Sequence, residues 1–522
     1  MLQQGAALLA GGRYHEAVQA FQQALRQEPA SVPARMGLAR ALAGTGDGLT
    51  ACAWLSDAAR LAPTQAEPVQ ELADLLLARK EYAQAAPLYG HLLEQFGART
   101  RGNLLHGGFC QEQRGHLERA VALYREAIDR EPDFLEAHVD LAGVLWRLED
   151  FEGSLAHARR AVQLGPAHAY AVRILGTALL NLNRLDEAEA ALRHALTLQP
   201  GFVLAELDLA FTLLLAGRLE EGWRWYECRW RDTQRMQRPA FFQAAHEWAG
   251  PAATPLAGVS LAVYGEQGLG DVIQFLRYVP LLQALGARVA CVVQPELVPL
   301  VEASFEGVEC LTPGRNLTVD GHAALMDLPA RLGTTLANVP APAAYLRAPS
   351  EARERWARRL AAQGPGLRVG FAWSGSMQQV NNRNRAIPLS TLAPLTMLPG
   401  VLAYSLQKGD AGPATDMPVA EAGLTDLTPD WRDFADSAAM IEALDLVITV
   451  DTAIAHLAGA LGKPVWILLP PNADWRWLLT RDDSPWYPTA RLFRRDFGEP
   501  RAAQVGRVAE ALRARMTAGR PL

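Results

Sequence analysis

The chain has 522 residues, half of them apolar, which predicts more than one domain, each with an ordinary core. Its formal net charge of −6 argues against a general nucleic-acid binder. Five scattered cysteines (Cys52, Cys110, Cys228, Cys291, Cys310) form no C-x-x-C pair, so neither a disulfide framework nor a zinc site is expected, and a reducing compartment is.

The start, MLQQGAALLAGGRYHEA, lacks a basic leader and turns amphipathic at once, so no signal peptide is read there. No apolar run approaches the length of about 18 residues that a spanning helix needs, and the expected location is the cytoplasm. The first half then repeats itself. ALRQEP ends at Pro29, AARLAP at Pro63, AIDREP at Pro132, AVQLGP at Pro166 and ALTLQP at Pro200, at steps of 34, 69, 34 and 34. The step of 69 divides at Gly97 into 34 and 35. Five residues before each mark stand Ala24, Ala58, Leu92, Ala127, Ala161 and Ala195. Three further back come Phe21, Leu55, Tyr89, Tyr124, Ala158 and Leu192, and earlier still Ala17, Ala51, Ala85, Ala120, Ser154 and Ala188. Small residues let helices approach closely, and the larger ones fill the gap beside them.

Period and positions together resemble the tetratricopeptide repeat over residues 1–234, with a modified seventh repeat, GRLEEGWRWYECRW, from about Ala205. The resemblance implies helix pairs, each ended by proline or glycine, stacked into a superhelix with a concave face. Such an array is either a scaffold, which helix packing alone explains, or a groove for an extended peptide. Asn181 and Asn183 are either amides that meet a peptide backbone there or loop residues.

After Trp230 the pattern changes. Residues 235–257 have no clean period and read as a connector rich in Pro, Ala and Gly. Short β-rich runs then alternate with helical stretches, at 259–264, 288–293, 324–328, 369–373, 402–406, 446–450 and 465–469, which predicts a parallel α/β fold. Gly-Pro-Gly within AAQGPGLRVG divides it into two doubly wound halves, 258–362 and 366–522. Ligands of such folds sit at the carboxyl ends of strands, so the cleft between the halves is the expected site.

Several segments at strand ends carry chemistry. GEQGLGDVIQF (265–275) starts like a dinucleotide loop, but its spacing is G-x-x-G-x-G-D and no acidic residue follows about 20 positions on. Gly268 and Gly270 allow close backbone approach, and Asp271 is at least a candidate helix N-cap. In VGFAWSGSMQQVNNRNRAIPL (369–389), Ser374, Gly375 and Ser376 end a strand, and Asn382, Arg383 and Arg385 follow. Hydroxyls, N–H groups and guanidinium forks suit a pyrophosphate; the other reading is a surface loop with solvated arginines. YSLQKGD (404–410) ends a strand at Gln407 and Lys408, with Lys408 either a point charge for a diphosphate or a solvated turn lysine. In DLVITVDTAIAHLAGALGKPVWILLP (445–470), Asp451 or Thr452 can cap the next helix, and Thr452 and His456 share a helical face. That helix start is a ready phosphate site; otherwise Asp451 caps, Thr452 packs and His456 is a polar surface residue. Finally, Trp475, Trp477, Trp486 and Tyr487 either seal the cleft or stack on a base or sugar, and the adjacent Asp482 and Asp483 are not expected to hold a metal.

VDTAIAHLAGALGKP resembles the donor-binding segment of the ADP-heptose:lipopolysaccharide heptosyltransferase family, and GLGDVIQFLRYVPLL resembles the family's first strand–helix junction. The resemblance implies a GT-B fold and a nucleotide-sugar donor used as co-substrate without metal. It places Asp451, Thr452, Ala453 and His456 around the nucleotide diphosphate, with Asp451 better suited to the loop or the ribose than to phosphate, since like charges repel. The family commonly has glycine where Ala453 stands. It also implies that Asp271 is the catalytic base for an acceptor hydroxyl, with Glu266 the second candidate. Fusion to helical repeats resembles the architecture of O-GlcNAc transferase and of bacterial flagellin glycosyltransferases. Taken together, these resemblances imply a bacterial cytoplasmic glycosyltransferase, inverting, that moves a sugar to a Ser or Thr hydroxyl of a protein docked in the repeat groove. The alternatives are a heptosyltransferase-like enzyme of cell-surface saccharide synthesis, for which no basic or amphipathic membrane face is seen, and a non-catalytic scaffold that only binds nucleotide.

Overall fold

The computed structural model describes every residue except 233–235, 237, 239–245, 316, 410 and 519–522. Its chain divides into two compact units, Met1–Ala178 and Leu179–Leu522.

The first unit is built of antiparallel helix pairs, from Leu2–Ala10 with Tyr14–Gln27 to Leu135–Leu145 with Phe151–Leu164. The repeated positions explain the pairing. Ala17, Ala51, Ala85, Ala120 and Ser154 are buried, and so are Phe21, Leu55, Tyr89, Tyr124 and Ala158 one turn on. Close approach also needs glycine on the partner helix. A Cβ on Gly37 would come within 2.4 Å of the Phe21 ring, and one on Gly108 within 2.5 Å of the Tyr124 ring. Asp47 and Asp150 cap second helices, each carboxylate accepting from a backbone N–H three residues on, at 3.1 and 2.9 Å.

The second unit opens with the rest of the array: Leu185–Leu198, Val203–Leu215 and Leu219–Tyr226, the last running into a 3-10 turn at Glu227–Arg231. Two parallel sheets follow. The first contains β1 (His246–Glu247), β2 (Ser260–Tyr264), β3 (Arg288–Val292), β4 (Glu309–Leu311) and β5 (Gly321–Ala324), in the order β1-β5-β2-β3-β4. The second contains β6 (Leu367–Ala372), β7 (Val401–Ser405), β8 (Thr425–Asp426), β9 (Leu446–Val450), β10 (Val465–Leu469) and β11 (Ala490–Arg494), in the order β11-β10-β9-β6-β7-β8. The expected fold class, helical repeats followed by two Rossmann-like α/β halves, is what forms. Each sheet has a point where the winding reverses, between β5 and β2 in the first and between β9 and β6 in the second. Loops leaving such a pair of strands diverge and open a crevice.

One expected strand is displaced. The run 324–328 begins where β5 ends, and Leu325–Asp327 is a 3-10 turn leading into a helix, Leu328–Arg331, that has Pro329 in its first turn. Leu325, Met326 and Leu328 are buried all the same, so hydrophobicity alone did not distinguish turn from strand.

One continuous core includes Leu214, Trp223 and Tyr226 of the last repeat, Phe275 and Leu276 of the first half, and Trp475, Trp477 and Trp486 of the second. A separate core, with Val369, Phe371, Ile448 and Leu512, belongs to the second half alone. The halves also share a buried cation. Arg277 donates to the carbonyls of Gln274 at 2.7 Å, Trp486 at 2.6 Å and Pro340 at 3.1 Å, and to the Tyr345 hydroxyl at 3.2 Å. Its guanidinium also lies 4.6–5.2 Å from the ring centroids of Tyr487, Tyr345 and Trp486.

Candidate functional site

The loop after β2 leads into the helix Leu269–Phe275. Gly268 is its N-cap and offers no side chain. Asp271, at the third helical position, supplies the missing acceptor, its Oδ2 taking the Gly268 N–H at 3.0 Å. The carboxylate therefore caps from inside the helix rather than from the cap position the sequence suggested. Its Oδ1 accepts from the Arg476 guanidinium of the second half. Burial pushes the Asp271 carboxyl above its ordinary range, and Asp474 adds to this, while Arg476, the Gly268 N–H and Arg385 pull it back. Gly270 lies against the second half. A Cβ there would meet the His456 ring at 2.9 Å and Ala453 Cα at 3.4 Å.

The loop after β9 leads into the helix Ala453–Ala460. Thr452 caps it, Oγ1 accepting from the Ile454 N–H at 3.2 Å. Asp451 is left to a different role. Its Oδ1 lies 3.9 Å from His456 Nε2, and burial, with repulsion from Asp474, raises its carboxyl to about 6 against the pull of Arg385 and Arg476. His456 is buried, not on the surface. Its ring stacks on Trp477 at 5.5 Å, and its Nδ1 lies 2.8 Å from the Tyr487 hydroxyl. Burial, helped by Arg476, Arg277 and Arg385, holds this imidazole well below its ordinary range, so it is neutral.

The loop after β6 is tied down from beneath. Gln407 Oε1 accepts from the N–H groups of Trp373 at 3.2 Å and Ser374 at 3.0 Å. Asn382 Oδ1 accepts from Gly375 N at 2.9 Å and Arg385 Nε at 3.2 Å, and its amide donates to Ser374 Oγ at 3.2 Å. Ser374, Asn382 and Gln407 thus shape the loop. The Arg385 guanidinium covers Gly375, 2.2 Å from where a Cβ would stand. The Arg385 charge also pulls down the Asp271 and Asp451 carboxyls and the His456 imidazole. Ser376 Oγ accepts from Gln378 N at 3.3 Å, and Arg383 is exposed. The Lys408 ammonium donates to the Trp431 carbonyl.

Asp271, Gly270, Ala453, Asp451, His456 and Arg385 are therefore brought together where the two helix starts meet. Glu266 is not with them. It is buried in an ion pair with Arg229, 3.0 Å away, and burial raises it to about 7, against Arg229 and with Asp327 adding to it. Asn181 and Asn183 are loop-side amides with internal partners: Asn472 donates to Asn181 at 3.0 Å, and Asn183 donates to the Pro471 carbonyl at 2.9 Å. Trp475, Trp477, Trp486 and Tyr487 are all buried, which favours sealing over stacking on a ligand.

Arg476 is what sequence reasoning missed. It is 8% exposed and donates to Gln274 Oε1 at 2.5 Å and to Asp474 at 2.9 Å, besides Asp271, while lying over the Trp475 ring at 4.4 Å. The signal was an arginine inside a run of buried rings, which must find carboxylates or carbonyls. Among the described residues no group of three or more His, Cys, Asp or Glu is placed to hold a metal ion, and no helix is long and apolar enough to cross a membrane.

Comparison with known proteins adds three findings. Family profiles match the tetratricopeptide repeat at residues 8–48, 111–169 and 140–203, and glycosyltransferase family 9 (heptosyltransferase) at 422–479. The latter span holds Asp451, His456 and Arg476. Protein FlbA of Caulobacter vibrioides is 30% identical over 431 residues, 76% of this chain and 70% of FlbA. Anaphase-promoting complex subunit 7 of Homo sapiens is 28% identical over 188 residues, 36% of this chain and 33% of that protein. Among solved structures, YrrB, a TPR protein with an unusual peptide-binding site, is similar at 18% identity and a TM-score of 0.32, over 36% of this chain and 96% of YrrB.

Proposed function

The chain belongs to the family of protein FlbA, here with tetratricopeptide repeats followed by a family 9 glycosyltransferase domain, and on that premise we propose that it moves a sugar from a nucleotide-activated donor to a Ser or Thr hydroxyl of a protein. The second half, 366–522, takes the donor, and the first, 258–362, the acceptor. One observation carries the reading. Asp271, its carboxyl raised by burial, stands at one helix start, and Gly270 beside it packs on Ala453 and His456 of a second, Ala453–Ala460.

The donor phosphate sits at the start of the helix Ala453–Ala460, where N–H groups and the helix dipole favour an anion. Arg385 adds a fixed positive charge on a braced loop, with Arg383, Ser376 and Lys408 at its margin. Asp271 takes the proton of the acceptor hydroxyl. The oxygen forms a bond to the anomeric carbon while the bond from that carbon to the phosphate oxygen breaks, and the nucleotide leaves with the electron pair. A single displacement inverts the anomeric centre. Arginine and helix N–H groups stabilise the departing charge, so the reaction runs without a metal. Neutral His456 orients the donor by a hydrogen bond. The concave face of the repeats, a surface suited to extended chains, docks the protein acceptor.

A thermal-shift screen of nucleotide sugars finds the donor, and intact mass of candidate acceptor proteins co-expressed with the chain reads the transfer. One sugar-sized increment on a protein is the expected result. The family 9 match favours a second reading, a saccharide acceptor, and modification of a saccharide with no protein labelled would establish that one instead. No shift with any nucleotide sugar would sink both.

A further inference from the structure

The crevice at the reversal point of the first sheet is not open. It is filled by the end of the last helical repeat. Glu266 follows β2 and Asp327 follows β5, the two strands that flank the reversal, and Arg229 reaches in between them. Its Nη2 lies 3.0 Å from Glu266 Oε1 and 2.6 Å from Asp327 Oδ1, with side-chain exposures of 3, 4 and 3%. The guanidinium is 4.6 Å from the ring centroids of both Tyr226 and Trp230, and Trp230 Nε1 donates to Asp327 at 3.2 Å.

The same repeat holds the next residue of the loop. Gln267 Nε2 donates to the Tyr226 hydroxyl at 2.5 Å, and the Gln267 carbonyl accepts from Gln294 at 3.0 Å. Gly268, next in line, gives its N–H to Asp271. One turn earlier in the repeat, Trp223 meets Phe275 edge-on at 6.2 Å and Trp475 at 5.0 Å. Phe275 ends the helix that carries Asp271, and Trp475 precedes Arg476. The last repeat therefore touches the Asp271 segment at both ends.

A repeat whose only task was to bind an acceptor would keep its polar groups for that acceptor. This one buries an arginine at the cost of desolvating three charges, and a buried pair gives little net stability over an apolar filling. We propose that Arg229, with Tyr226, is a positioning residue of the transfer site: the last repeat fixes the 265–268 loop and thereby the place of the Asp271 carboxylate. The repeat array then reaches the chemistry through its C-terminal end. This rests on the reading of Asp271 as base.

The test uses the full chain. Hydrogen exchange without ligand reads the loop directly, on peptides covering 264–275. In Arg229→Gln these amides should exchange faster while those of the helix Ala453–Ala460 do not. Misplacing a reacting group by about 1 Å costs up to about a hundredfold in rate, so transfer from the nucleotide sugar found in the donor screen should fall at least about tenfold. Affinity for ADP, UDP and GDP, titrated by calorimetry, should stay within about twofold, because the donor half is untouched. Arg229→Lys, which keeps the charge, should recover part of the rate. Should Arg229→Gln fail to fold, Tyr226→Phe, which removes only the oxygen that holds Gln267, should show the same pattern more weakly. Unchanged loop exchange, or rate and nucleotide affinity falling in step, would overturn the proposal. Asp271→Asn measured alongside separates the failures: if it keeps full rate, the reading of the base has failed, whatever Arg229 does.

Discussion

The two compact units differ in how deeply their most buried ion pairs lie. In Met1–Ala178 the arginines of the ion pairs keep between 22 and 76% of their side chains exposed, as Arg40 does with Glu67 and Glu71. The interior there is a ladder of small and large apolar residues. In Leu179–Leu522 charge goes inside: Arg229 with Glu266 and Asp327, Arg476 with Asp271 and Asp474, and Arg277 among carbonyls and rings. Exposed pairs contribute about 0–1 kcal/mol, whereas a buried pair is expensive to form and more expensive to leave half made. The contrast teaches where to look for chemistry. The deepest of these ion pairs, Arg229 with Glu266 and Asp327, stands at the end of the repeat array where it meets the α/β fold, and Arg476 holds the Asp271 carboxylate.

The sharpest way to break the contrast is at Asp271. Asp271→Asn should lower transfer by about 10²–10⁴ while nucleoside diphosphate binding persists, whereas Asp47→Asn, at an acidic cap of the first unit, should leave the rate alone. Equal rates in Asp271→Asn and the parent would dismiss that carboxylate as the base. Next comes Arg476→Gln, which leaves Asp271 and Asp474 without their shared cation and should cost about 3–5 kcal/mol in urea unfolding.

A smaller effect is expected from pH. Asp451 is raised to about 6 from 3.8, so its protonated form is the one the fold favours. Its contribution to stability is then complete below the unfolded value and is lost as pH rises through about 6. The melting temperature should carry a downward slope from this group across that window, and Asp451→Asn should flatten it. An unaltered slope would remove Asp451 as its source. Smallest of all is Arg40→Gln, with less than about 1 kcal/mol expected and no change in transfer. A loss matching that of Arg476→Gln would erase the distinction between the units.

Much of this architecture was legible because the chain states it repeatedly. Ala17 and its five successors mark one helix position every 34 or 35 residues, and packing alone requires them. Strands buried on both faces were equally plain: 446–450 and 465–469 were read with the bounds the structure gives β9 and β10. Edge strands were not: β1 and β8 have two residues and β4 three, too few for any period to show, and β11, with five, alternates buried and exposed residues only at its start. At the cleft the sequence displayed residue types but not partners. Asp271 could be singled out at a strand end, yet its counter-charge Arg476 lies 205 residues on, inside a segment whose tryptophans drew the eye. Glu266 looked free because Arg229, 37 residues earlier, belongs to a helical repeat rather than to the α/β fold. Local pattern reveals what is periodic or contiguous, and ion pairs across a fold are neither.

Arg277 is a fastener between the two halves of the α/β fold. It is rooted in the first half, beside the helix Leu269–Phe275, and most of its aromatic cage belongs to the second. Drawing the halves apart would take from the cation the Trp486 carbonyl and the Trp486 and Tyr487 rings, and leave it the Gln274 and Pro340 carbonyls and Tyr345. The 361–367 turn is thus one of several links between the halves.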